Sequence, residues 1–276
     1  MHGGNKNMNK KIIICGDSFA KGIGCRDLVN EPYGSLLSKE LDMPLINLAK
    51  GSSTHLSIYL QAKYAVDNYA DSAGLVIVTY TSYDRVEWFP WDYTHPGRDY
   101  TNADVNYHEY PPYMLGSYGV SEHDGQPHPM VDDDRYTGKM FTENLMGVID
   151  YWETYALKGK SGGYYTRFDN EPKERMKVLY DYAAQIHDPS INRLHSIGLL
   201  TMAHQLLSKA GIRHLIGTHE MEAYSAFIDR TNLVNIDWGQ LALDYPDDLP
   251  SWHMSAVGHE VTKETVIKKL KENGWI

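Results

Sequence analysis

The sequence predicts an α/β protein built on a parallel sheet, and three observations predict it. Short apolar runs stand at Ile12-Ile13-Ile14-Cys15, Leu45-Ile46-Asn47-Leu48-Ala49 and Leu75-Val76-Ile77-Val78-Thr79. Their near-continuous hydrophobicity suits strands buried on both faces. Helix-length segments separate them, which gives βαβ units with right-handed crossovers. The first two runs end in turns of glycine and hydroxyl residues, Gly16-Asp17-Ser18 and Gly51-Ser52-Ser53-Thr54.

The elements follow in order. After the first strand, Lys21 to Cys25 forms a loop, and Glu31-Pro32-Tyr33-Gly34 leads into a helix from Ser35 to Leu41. The second strand covers Pro44 to Ala49. A helix from about Thr54 to Tyr69 carries Leu56, Tyr59, Leu60, Ala62 and Val66 as its core face. The third strand, Gly74 to Tyr80, ends in Thr81-Ser82-Tyr83-Asp84-Arg85. The alternation then stops. From Glu87 to about Gly163 the chain is rich in Tyr, Pro, Asp, His and Gly. A structureless loop of that length does not suit a compact domain, so this stretch reads as an inserted lid or subdomain, with Thr142 to Leu157 as one helix. Pro172 to about His187 is helical. After Asp188-Pro189-Ser190 a second helix runs to about Lys209, with Leu199, Met202, Ala203 and Leu206 as its stripe, and Gly211 stops it. Strands follow at Ile212 to Gly217 and Leu233 to Ile236. A loop from Asp244 to Trp252 precedes His253 and a last helix to about Glu272. The expected organisation is one domain over residues 10–276, interrupted at about 87–163.

Composition narrows the function. A net charge of −10 with no Lys/Arg block argues against a nucleic-acid partner. No stretch is apolar enough to span a membrane, and the first nine residues contain no apolar signal core. Only two cysteines occur, Cys15 inside the first strand and Cys25, so a reducing, cytoplasmic setting is expected. Tyr outnumbers Phe by 21 to 5, and aromatics with polar tips suit ligand clefts, lids or subunit contacts. No cofactor motif occurs. His123, Asp124 and His128 near Asp132-Asp133-Asp134 match no zinc spacing, so no metal is expected.

Chemistry gathers where the first strand ends. Ligands bind at the carboxyl ends of strands in open α/β sheets. Ser18 there is either a nucleophile, given a base and facing amide donors, or the cap of a helix starting near Phe19. The candidate base is His253, in the loop before the final helix. His259 reads as a packing or capping residue of that helix. Asp84 and Arg85 stand at the third strand's end, where Arg85 can hold an anionic substrate group or pair with Asp84 to fix the loop.

Together, Gly16-Asp17-Ser18 after the first strand, the Gly51 turn after the second, and His253-Met254-Ser255-Ala256-Val257-Gly258-His259 before the last helix resemble the SGNH (GDSL) hydrolase superfamily. The likeness runs from Lys10 to Asp84 and from Ile212 to the end, and leaves the insertion unmatched. It implies a flavodoxin-like three-layer α/β/α sandwich that cleaves esters, with Ser18 as nucleophile, His253 as base, and the amides of Ser18 and Gly51 as oxyanion donors. Two departures stand out. The family's Gly-x-Asn-Asp block reads Thr81-Ser82-Tyr83-Asp84, so Tyr83 replaces the side-chain oxyanion donor, leaving the Ser82 or Tyr83 hydroxyl as stand-ins. The family's acid three residues before the histidine is Pro250 here, so the orienting group is Asp248 first, then Asp247, with Asp244 a further candidate, or else a backbone carbonyl in a Ser–His dyad.

The leading expectation is therefore an SGNH-type esterase acting on a small-molecule or carbohydrate ester, such as an O-acetyl or acyl sugar. It needs no cofactor and is compatible with oligomer formation. The alternative is a weakened or inactive descendant with a binding or structural role, for instance in a virion. A nucleotide-binding protein comes last, because neither Gly-x-Gly-x-x-Gly nor a P-loop is present.

Overall fold

A computed structural model of the chain describes residues 10–51, 53–83, 85–88, 141–144, 177, 180–182, 184–248 and 253–276. The elements are β1 (Lys11–Cys15), α1 (Ser18–Lys21), α2 (Tyr33–Leu41), β2 (Leu45–Asn47), α3 (His55–Tyr69), β3 (Ala73–Thr79), β4 (Arg85–Trp88), β5 (Phe141–Asn144), α4 (Pro189–Lys209), β6 (His214–Thr218), α5 (Met221–Ser225), β7 (Leu233–Asn235), α6 (Trp238–Asp244) and α7 (Ala256–Glu272).

Five of the strands form one parallel sheet in the order β2-β1-β3-β6-β7. Ile13 of β1 lies between Ile46 of β2 and Val76 of β3. Helices α3 and α4 pack together on one face and α2 and α7 on the other, which makes a three-layer α/β sandwich. Ile12, Ile13, Ile14 and Ile77 are fully buried at its centre. The first crossover leaves β1 in one direction and the next strand returns on its other side. The strand order therefore reverses between β1 and β3, the kind of switch point beyond whose carboxyl ends open α/β sheets place their ligand crevice. Ser18 follows β1, and Thr81 follows β3.

The buried helix faces differ from the expected stripes. In α3 the expected Leu60 and Ala62 are buried and Tyr59 and Val66 pack half-buried against the core, but His55, Ile58, Gln61 and Ala65 are buried too and Leu56 is only half-buried. In α4 they are Ser196, Ile197, Leu200, Ala203, His204 and Leu207, and Met202 is exposed. Both faces turn because hydrogen-bonded polar side chains occupy core positions that a reading by apolar spacing assigns to hydrophobes.

The helix expected over Thr142 to Leu157 is corrected at its start. Phe141–Asn144 is a strand paired antiparallel with β4, Arg85 opposite Asn144 and Trp88 opposite Phe141. Its partner lies far away in sequence, beyond the reach of local periodicity. Residues 145–157 fall outside the described residues, as does most of the insertion. Residues 177, 180–182 and 184–185 are helical. Both cysteines are buried and unbridged, and burial pushes the Cys25 thiol up to about 12, with Glu31 and Asp27 adding to it. No described helix is long and apolar enough to cross a membrane.

Candidate active site

The turn after β1 is built by close approach. A Cβ on Gly16 would stand 2.3 Å from Thr79 Oγ1 and 2.4 Å from Ala20 Cβ, so only glycine fits between β3 and α1. Asp17, not Ser18, caps α1: its Oδ1 accepts from Phe19 N–H at 3.0 Å. Its Oδ2 accepts from Thr81 Oγ1 at 2.7 Å and pairs with Arg85 Nη1 at 3.1 Å. Three donors thus satisfy a carboxylate residue that is 1% exposed. Ser18 is the first residue of α1 and is 5% exposed. Gly22, at φ +101°, closes the single turn and donates back to Ser18 O and Phe19 O.

Two α3 side chains that sequence reasoning passed over hold this turn and its neighbour. The Gln61 amide grips Gly16 at both ends. Its Oε1 accepts from Gly16 N–H at 2.7 Å, and its Nε2 donates to Gly16 O at 3.2 Å and to Ser53 Oγ at 3.1 Å. His55 accepts Thr81 N–H on Nε2 at 3.3 Å, meets Ser196 Oγ through Nδ1 at 3.0 Å, and stacks on Tyr83 at 5.5 Å between centroids. Burial first, and the Arg85 charge second, lower the His55 pKa to about 3, so the ring is neutral at ordinary pH. The available signal was one of placement: a polar residue on the buried face of the helix that follows the second turn.

At that second turn, Lys50 N–H donates to Gly16 O at 3.1 Å, which brings Gly51 alongside the first turn. A Cβ on Gly51 would meet Ile23 Cδ1 at 3.6 Å, an ordinary contact, so Ile23 of the first loop borders this turn. Among the described residues, neither the Gly51 nor the Ser18 N–H donates a hydrogen bond. The Ser18 amide belongs to the first turn of α1, where N–H groups lack helical acceptors and are ready donors for a negative oxygen.

The third loop is arranged differently from the expectation. The Tyr83 hydroxyl donates to Glu220 Oε2 at 2.6 Å, and Arg193 Nε bonds both Glu220 oxygens at 3.0 and 2.9 Å. Burial opposes ionisation of Glu220, but the bonds from Tyr83 and Arg193 prevail and lower its pKa. The Tyr83 O–H is therefore already used. Asn192 Nδ2 holds the Tyr83 carbonyl at 3.0 Å. Arg85, half-buried, spends Nη1 on Asp17 and on Ser53 O at 3.0 Å. The pairing that fixes the loop is thus with Asp17, whereas Asp84 lies outside the described residues. Ser82 is half-buried and accepts Arg85 N–H through its carbonyl at 3.4 Å.

His253 comes from the opposite end of the chain. A bridge between Pro246 and Met254 and the bond from Asp247 N–H to His253 O, at 3.1 Å, fold its loop back on itself. Its ring lies 4.8 Å from that of Phe19, the residue after Ser18. A Cβ on Gly24 would find His253 Cβ at 2.9 Å and Asp247 Oδ2 at 3.3 Å, so both side chains border one point. Asp248 instead pairs with Arg26 at the surface, both side chains being largely exposed. Asp244 accepts from Gln240 Nε2 at 2.8 Å. His259 is fully buried in α7 and receives Tyr33 N–H on Nδ1 at 3.3 Å, serving the start of α2, where Pro32 offers no side-chain cap.

His123, Asp124, His128 and Asp132 to Asp134 lie outside the described residues. Among those described, no three His, Cys, Asp or Glu side chains cluster to hold a metal.

No protein-family model matches the chain, and no curated protein does. Solved structures do. Its structural neighbours include a GDSL-family protein. This lipolytic protein from Desulfitobacterium hafniense DCB-2 is 11% identical, with 95% of this chain and 100% of that one aligned at a TM-score of 0.31. The salicylyl-acyltransferase SsfX3 from a tetracycline biosynthetic pathway is 13% identical over 99% of this chain and 60% of that one, at a TM-score of 0.36.

Proposed function

We propose that the chain is a serine hydrolase of the SGNH type, cleaving an ester through an acyl-enzyme on Ser18. The observation that carries this reading is the convergence at the switch point of the sheet. Ser18 begins α1 at the end of β1, the His253 ring lies against the adjacent Phe19, and the Gly51 turn is bonded to the Ser18 turn through Lys50 N–H and Gly16 O.

In this mechanism His253 takes the Ser18 Oγ proton as the oxygen attacks the ester carbonyl. The Ser18 and Gly51 amides receive the oxyanion. The C–O bond to the alcohol then breaks, and His253 returns the proton to the departing alkoxide. Water repeats the sequence on the acyl-enzyme and releases the acid. Asp247, rather than Asp248, is the acid proposed to orient His253, because it borders the same point as the histidine while Asp248 is engaged with Arg26. The Tyr83 hydroxyl has no oxyanion role here because it is donated to Glu220. The substrate class proposed is a small-molecule or carbohydrate ester, supported by the chain's many aromatics with polar tips.

The second reading is a binding protein that retains the fold. The committed Tyr83 hydroxyl favours it, since losing a side-chain oxyanion donor costs about 10²–10³ in rate. A fluorophosphonate probe decides between them, applied to wild type, Ser18→Ala and His253→Ala. Labelling of wild type at Ser18, lost in both variants, supports the hydrolase. A folded wild type that stays unlabelled overturns it.

A further inference from the structure

A buried polar chain links helix α4 to the turn that carries Ser18. It starts at Asn192 O, which accepts from Ser196 Oγ–H at 2.8 Å. Ser196 Oγ in turn contacts His55 Nδ1 at 3.0 Å. Because Thr81 N–H donates to Nε2 at 3.3 Å, the imidazole proton must sit on Nδ1 and point at Ser196 Oγ. Every group in this stretch then has one donor for one acceptor. The chain continues through Thr81, whose Oγ1–H reaches Asp17 Oδ2 at 2.7 Å. It ends where Asp17 Oδ1 takes Phe19 N–H at 3.0 Å, one residue beyond Ser18. Ser196, His55, Thr81, Asp17 and Ser18 are exposed by only 4%, 5%, 1%, 1% and 5%. Water is in no position to replace any of these partners, so losing one leaves a buried group unpaired.

The His55 ring also stacks on Tyr83 with an interplanar angle of 15°. One side chain thereby grips the loop after β3 twice, by its backbone at Thr81 and by its aromatic face at Tyr83. The Tyr83 hydroxyl and carbonyl are held by Glu220 and Asn192. The loop is clamped from α3, from α4 and from the end of β6, and Thr81 links it to Asp17 Oδ2.

We infer that His55 is a positioning residue for the nucleophile: by fixing Thr81, it sets the Asp17 carboxylate and hence the Phe19 amide and the rotation of the turn that presents Ser18. This rests on the hydrolase reading for its catalytic consequence, but not for its structural one. A neutral imidazole with a fixed tautomer suits a holding role and not proton transfer. Displacing a reacting group by about 1 Å costs about 10²-fold in rate.

The test compares His55→Phe with His55→Gln. Phenylalanine keeps the ring against Tyr83 and removes the acceptor for Thr81 N–H. Glutamine can return an acceptor at the Nε2 position. Two readouts are taken on folded protein: the rate of fluorophosphonate labelling at Ser18, and amide hydrogen exchange at Thr81 and Phe19. In His55→Phe the expected result is labelling slower by about 10²-fold, with protection falling at both amides. In His55→Gln both readouts recover in part. Labelling at the wild-type rate in His55→Phe overturns the proposal. So does exchange that rises at Thr81 while Phe19 stays as protected as in wild type. If wild type itself is not labelled, the hydrolase reading fails, and the exchange at Phe19 still decides whether His55 positions the turn.

Discussion

Gln61→Leu isolates what the grip on Gly16 contributes. Gln61 is fully buried, and leucine has a similar volume, so no cavity opens and the effect is almost purely one of hydrogen bonding. The substitution leaves Gly16 N–H, which Gln61 Oε1 now receives at 2.7 Å, without an acceptor. A buried donor left unpaired costs about 1–3 kcal/mol. Ser53 Oγ, also fully buried, loses the 3.1 Å bond from Nε2 and adds about 1 kcal/mol. Gly16 O is spared because Lys50 N–H still reaches it at 3.1 Å. The sum is about 2–4 kcal/mol, which at about 2–4 °C per kcal/mol for a chain of this size lowers Tm by about 10 °C. Equilibrium urea unfolding followed by tryptophan fluorescence measures it, with Gln61→Glu as a companion that keeps an acceptor for Gly16 N–H. A Gln61→Leu protein within about 0.5 kcal/mol of wild type at unchanged m-value would show that the clamp does not hold the turn.

Tyr83→Phe removes the bond to Glu220, which keeps Arg193. Stability should fall by about 1 kcal/mol while the labelling rate at Ser18 changes by less than about threefold. A drop of about 10²-fold in labelling would instead make the hydroxyl an oxyanion donor. Asp247→Asn should slow labelling strongly. Asp248→Asn should alter neither labelling nor, beyond about 1 kcal/mol, stability, because its pair with Arg26 is solvent-exposed; the reverse ranking would return the orienting role to Asp248. Acid should destabilise the fold. Burial lowers the pKa of His55 to about 3, of His259 to about 3 and of His214 to about 4. The folded protein holds these rings neutral while the unfolded chain protonates them near 6.5. Their contribution is therefore complete above 6.5 and is lost as pH falls from there toward 4 and then 3, by up to about 1.4 kcal/mol per unit for each. Urea midpoints at pH 7 and pH 5 that coincide would contradict this.

The sheet was legible because its strands are short apolar runs with turn residues at their ends, a signal confined to neighbours in sequence. The same locality placed Ser18 and Gly51 at adjacent strand ends. What escaped notice depends on partners distant in the chain. Gln61 and His55 look like polar positions on an amphipathic helix until β1 and the loop after β3 arrive to receive their hydrogen bonds. The stripes assigned to α3 and α4 favoured large hydrophobes and so missed Ser196 and His204, which are buried because His55 and His214 bond to them. The start of the helix read over Thr142 to Leu157 is strand instead because its pairing partner β4 lies more than fifty residues earlier, beyond any local signal. Sequence offers both Asp248 and Asp247 near His253, and their different surroundings, Arg26 for the first and the Gly24 turn for the second, come from a loop whose contacts are distant in the chain.

Arg85 belongs to two assemblies at once. As the first residue of β4 it is opposite Asn144 in the two-stranded ribbon where the insertion leaves and rejoins the domain. Through its guanidinium it is bonded to the aspartate that caps the helix beginning at Ser18. The ribbon is consequently tied to the parallel-sheet domain through one side chain. Grafting a different sequence between Trp88 and Phe141 preserves the neck only if the replacement closes across the same register. A graft that shifts the register by one residue would turn Arg85 to the other side of the ribbon and strip Asp17 of its countercharge. The first rung of the ribbon and the cap of the Ser18 turn therefore share one side chain.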